Sequence, residues 1–149
     1  MSPSRPKSRA ESKSRTGSSA GARSANRNLA PADELKREIQ AVLTDELRSE
    51  EHRLGHGRYD GFAYPAAEAY FHLAGGHDAN LHSMQLKHRG RSHWWLVDSK
   101  GAIIDLTVAP REFSEFPYDR GRRRPFRHTP AGLSRRARTI VERVRTARG

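Results

Sequence analysis

The sequence contains no cysteine among its 149 residues. That absence excludes a disulfide framework, a thiolate metal site and thiol catalysis by this chain. No apolar run approaches the length of a membrane helix or of a secretion-signal core. The expectation is a soluble, cytoplasmic protein with no membrane partner. Large apolar side chains are also scarce, at 34% hydrophobic and 7% aromatic residues, which predicts that part of the chain stays outside any packed core.

Charge is abundant, at 30% of residues and a net +11, and it is unevenly placed. Residues 1–28 carry +6, residues 120–149 carry +10, and the stretch between them carries −5. A mildly acidic centre with two basic ends assigns any affinity for nucleic acid or another anionic surface to the ends.

Residues 1–30 are rich in Ser, Arg, Gly and Pro, with no large apolar residue between Met1 and Leu29. Such a segment cannot bury surface and reads as a disordered basic tail. Residues 31–149 read as one domain. Leu35, Ile39, Val42/Leu43 and Leu47 recur at helical spacing, with Asp33 and Glu34 in the first turn. "FAYPAAEAYFHLAGG" predicts a second helix, with Pro65 in its first turn, small residues for close packing and Gly75–Gly76 as its stop. Strands are expected at 84–88, 93–97 and 102–107, joined by the turns "RGRS" and "DSKG". "APREFSEFPYDRGRRRPFRHTPAG" reads as an irregular arm. A last helix follows, capped by Ser134 and burying Leu133, Ala137, Ile140/Val141 and Val144. The fold class is α+β, with helices packed on a small antiparallel three-stranded meander.

Within the meander, "SHWWLVDSKGAIIDLT" sets His93 near the head of one strand and Asp105 on the next. If Asp98–Gly101 turns the chain with one bulged residue, Trp95 faces Asp105 and the two polar side chains meet diagonally. A carboxylate there accepts the imidazole N–H and leaves the second ring nitrogen as a base. A one-residue slip would separate them. Trp94 and Trp95 alternate faces, so one belongs to the core and the other has a cleft wall or the core open to it.

The histidines suggest a metal but lack the pattern for one. His52 and His56 are flanked by Gly55 and Gly57, and His72, His77, His82, His88 and His93 recur without a tight pair. No metal and no cofactor are expected. "DRGRRRPFRHTP" is the densest cationic stretch, with Arg122, Arg123, Arg124 and Arg127 as candidate phosphate contacts and Phe126 either stacking on a base or folding inward.

"GFAYPAAEAYFHL", "SHWWL" and "IIDLT" together resemble the transglutaminase-like branch of the papain-like cysteine enzymes. The pattern there is a helix-opening G-x-C, a strand-opening H-x-W and a D-x-T on the next strand. A narrower resemblance is to small, often phage-borne proteins with a G-H-C-Y…A-S-E-A-x-Y-H-L-x-G-G motif. It spans about 61–107. The resemblance implies a transglutaminase-like, papain-like core with His93 as general base and Asp105 as its orienting acid. Ala63 then stands where the nucleophile belongs, and Phe62 replaces the histidine beside it. A methyl group cannot attack a carbonyl, so the resemblance implies a catalytically silent domain. It would hold a peptide or amide side chain through Trp94, Trp95 and Phe62. Two alternatives stand beside it. One is an inactivated copy of an active thiol amide hydrolase or acyl transferase. The other is a nucleic-acid-associated accessory protein acting through its basic ends.

Overall fold

The computed structural model describes residues 33–48, 61–88, 90–108, 113, 115–127 and 132–149. The expected tail over 1–30 lies outside the described residues. Among the described residues, three α-helices and four strands make an α+β arrangement: α1 (Glu34–Ala41), α2 (Ala63–Ala74), β1 (His82–His88), β2 (Arg91–Val97), β3 (Ile103–Ile104), β4 (Arg122–Arg123) and α3 (Arg135–Arg148). No helix among the described residues is long and apolar enough to cross a membrane.

Asp33 caps α1, its side chain accepting from Lys36 N at 2.7 Å, and Ile39 is buried. The periodicity predicts one helix as far as Leu47, but α1 ends at Ala41 and Leu47 is buried from a separate 3-10 turn, Asp45–Leu47. The break is stabilised from α3: Arg143 donates to Val42 O at 3.1 Å, to Thr44 Oγ1 at 2.6 Å and to Glu46 Oε2 at 2.8 Å. Carbonyl and hydroxyl groups freed where the helix stops thus find a charged donor.

Helix α2 ends as its glycines predict, with Gly75 in the left-handed region at φ 107°. It is buried on nearly every side, Ala66, Ala67 and Ala69 included. It also carries a buried carboxylate, Glu68, which accepts from Ser134 Oγ at 2.6 Å. Ser134 in turn caps α3 by accepting from Ala137 N at 3.4 Å.

The sheet order is β3-β2-β1-β4, and every pairing is antiparallel. The three-stranded meander is therefore incomplete. A fourth strand, from the arm expected to be irregular, pairs with β1 through Met84↔Arg123 and Gln85↔Arg122. Ser83 and Arg124 extend this contact, with Arg124 N donating to Ser83 O at 3.1 Å and Ser83 Oγ donating to Arg124 O.

The sheet separates two apolar clusters. On one side Trp94, Leu96, Ile104 and Leu106 pack with the helices and Phe126. On the other, Trp95 and Ile103 pack with Phe113 and Tyr118 of the arm, flanked by Met84, Leu86, Val97 and Phe116. Alternation along β2 produces this division.

Candidate His–Asp site and arginine edge

Residues 98–101 build the turn that aligns β2 with β3. Asp98 N donates to Ala102 O at 3.0 Å, and Asp98 Oδ1 accepts from Lys100 N and Ala102 N, both at 2.9 Å. Gly101, at φ 82°, supplies the left-handed residue that a three-residue hairpin requires. The resulting pairs are Val97↔Ile103 and Leu96↔Ile104. One step further along this register, Trp95 stands opposite Asp105 and His93 lies on the diagonal.

His93 Nε2 and Asp105 Oδ2 are 2.7 Å apart. Asp105 is 1% exposed, so each of its oxygens needs partners. Oδ2 also accepts from Tyr118 OH at 2.8 Å. Oδ1 accepts from Thr107 N at 2.9 Å, Val108 N at 3.2 Å and Thr107 Oγ1 at 3.3 Å. These bonds curl the chain after Ile104, so the strand expected over 102–107 is only two residues long. Burial pushes the Asp105 carboxyl up. The charge and hydrogen bond of His93, the Thr107 amide and the Tyr118 hydroxyl outweigh it, and the group is held below the ordinary carboxylate range.

His93 retains 15% of its side-chain exposure. Its ring stacks on Trp95 at 5.8 Å and meets Phe116 at 4.7 Å. With Nε2 directed at the carboxylate, Nδ1 is the nitrogen left for another contact. The environment is aromatic and belongs to the side of the sheet away from the helices.

The other expected site residues are placed differently. Ala63 begins α2 and packs against the helix-side cluster, so the sheet separates it from the His93–Asp105 pair. Phe62 and Trp94 belong to the same helix-side cluster and Trp95 to the opposite one; all three are buried. Arg48 lies over the Phe62 ring at 4.6 Å, and Trp94 is enclosed by Tyr64 at 4.9 Å and Phe126 at 5.5 Å. Phe126 is a core residue and not an exposed stacking platform. The structure thus brings together the imidazole, the carboxylate and the Trp95 ring, and leaves the helix tip, Phe62 and Trp94 on the other side of the sheet.

The four expected arginines are exposed. Arg122 and Arg123 are held by the ladder to β1, and Arg124 by the Ser83 contacts. Arg127 N donates to Tyr64 OH at 2.7 Å, and its guanidinium lies over the Tyr64 ring at 4.7 Å. Sequence reasoning missed two further cations beside them, Lys87 and Arg91, both exposed at the hairpin end of β1 and β2. The signal lay in "KHRGRS", where Lys87 falls in the strand expected over 84–88 and Arg91 in the turn "RGRS". Among the described residues, no group of three or more histidines and carboxylates is placed to hold a metal ion. No family model matches this chain, and no curated protein or solved structure matches it either.

Proposed function

We propose that this chain is a catalytically silent binding domain that holds nucleic acid by its phosphates. The observation that carries the reading is the row Arg122–Arg124, exposed and fixed in extended conformation on a sheet edge. Arginine guanidinium groups match phosphate geometry, and a rigid backbone reduces the ordering cost of presenting Arg122 and Arg124 on one side of the sheet. The +6 of residues 1–28 supplies further cationic charge to the same chain. The test is oligonucleotide binding measured against salt. Binding should weaken steeply as salt rises, and replacing Arg122, Arg123 and Arg124 together by Gln should flatten that slope. Undetectable binding at low salt removes the reading.

A second reading is favoured by one distance, the 2.7 Å between His93 and Asp105. A transglutaminase-like, papain-like domain would retain such a pair after losing its nucleophile, and Nδ1 of His93 would then accept from a peptide or amide N–H. Ala63→Cys tests this ancestry with an iodoacetamide-type probe at mildly acidic pH. Fast labelling that disappears with His93→Ala supports it. Slow labelling indifferent to His93 counts against it, as the intervening sheet favours.

A further inference from the structure

The ladder register assigns each basic residue of the sheet to a face. Trp94 marks the helix side, and its cross-strand neighbour on β1 is Gln85, which in turn faces Arg122 on β4. Lys87 and Ser92 face each other one step nearer the hairpin tip and share that side. Arg124, two residues after Arg122, returns to it as well. The crossover after β4 then brings Arg127 over Tyr64, whose ring edge meets Trp94 at 4.9 Å.

Four exposed cations therefore border one polar floor. Its centre is Gln85 and Ser92, joined by Gln85 Nε2 donating to Ser92 Oγ at 3.0 Å. Strands β1, β2 and β4 contain no aspartate or glutamate, so no ladder neighbour neutralises these charges. Opposite charges across a ladder are the ordinary arrangement for surface strands, since like charges on neighbouring strands repel. An accumulation of one sign favours an anion on this face.

We infer that the helix side of β2, β1 and β4, from the hairpin to the crossover after β4, is a composite phosphate-backbone site formed by Lys87, Arg122, Arg124 and Arg127 around Gln85 and Ser92. The inference rests on the nucleic-acid reading above and specifies where and how the contact is made. Arg122 and Arg124 are about 6.6 Å apart along an extended strand, a spacing suited to successive phosphates on one strand. Gln85 and Ser92 add neutral donors for phosphate or sugar oxygens. Among the described residues, the aromatic rings beneath the floor, Tyr64, Trp94 and Phe126, are buried and offer bases no stacking platform. Recognition is of the backbone and indifferent to sequence.

Fluorescence anisotropy of labelled single-stranded oligonucleotides against the full chain, across a salt series, tests the site. Lys87→Gln should lower the magnitude of the log–log salt slope by about 0.7, and Lys87→Gln with Arg122→Gln by about twice that. Homopolymers of different base should bind alike. Arg138→Gln with Arg145→Gln, exposed on α3, should leave the slope unchanged. A wild-type chain that does not bind refutes the parent reading. Binding that responds to Arg122–Arg124 replacement but not to Lys87→Gln refutes this site alone. An equal loss from the α3 pair shows diffuse attraction and overturns it. So does competition by poly-glutamate as effective as by oligonucleotide, which would indicate an acidic polypeptide partner.

Discussion

Asp105 shows how one side chain organises a region. Its oxygens accept from His93, Tyr118, Thr107 and Val108, connecting β2, the loop after β3 and the aromatic arm. Asp105→Asn replaces an acceptor by a donor opposite His93 and Tyr118 and should cost about 2–3 kcal/mol in urea unfolding. Tyr118→Phe, which removes one donor, should cost about 1 kcal/mol. The pH dependence has a definite sign. Because the folded carboxyl lies below its ordinary value, the unfolded chain binds the proton more readily. The stabilisation is present above the ordinary carboxylate pKa and is lost as pH falls through the lowered one. Urea midpoints in acid should therefore drop more steeply for the wild type than for Asp105→Asn. Gly121 is a residue-scale constraint of another kind. A Cβ there would lie 2.3 Å from Trp95 Cη2, and that ring is buried. Gly121→Ala should destabilise by about 1–3 kcal/mol through overpacking, measurable as a lower melting temperature.

At the scale of elements, the helices depend on one another at their ends. Glu68, on α2, holds the hydroxyl that caps α3. Ser134→Ala should cost about 1 kcal/mol. Glu68→Ala leaves the Ser134 amide and hydroxyl without their acceptor, and the double variant should lose less than the two single losses added, a non-additivity that a thermodynamic cycle detects. The cap at Ser134, the Gly75 stop and the 98–101 hairpin were legible in the sequence because each is decided within a few residues; Asp33, expected in the first turn of α1, stands one residue earlier as its cap. The His93–Asp105 contact was legible for the same reason, through hairpin register. β4 was not: its two residues are paired by a strand nearly forty positions earlier, and arginine has no marked strand preference to announce it. The early end of α1 was equally hidden, since Arg143, a hundred residues later, holds the interrupted segment.

For the whole molecule, the basic C-terminal stretch holds two sets of arginines that composition cannot distinguish. Arg136 donates to Leu47 O at 2.8 Å, Arg143 to the 42–46 segment and Arg148 to Glu38 at 2.7 Å. These arginines tie α3 to the N-terminal elements. Arg122, Arg124 and Arg127 project from the sheet instead. Ile140→Ala, which empties a fully buried site of α3, should cost about 2–5 kcal/mol. Urea unfolding followed by circular dichroism checks it.

The chain has two tryptophans, adjacent in sequence, and β2 directs them into the two opposed clusters. Each indole is consequently an optical probe of its own half of the protein. Fluorescence of Trp94→Phe would follow the half-space beneath the aromatic arm, and that of Trp95→Phe the helical half. Emission maxima that shift to the red at different urea concentrations would mean that the arm peels away before the helices melt. Coincident shifts would mean that a layer two strands wide at its thinnest makes both halves open as one.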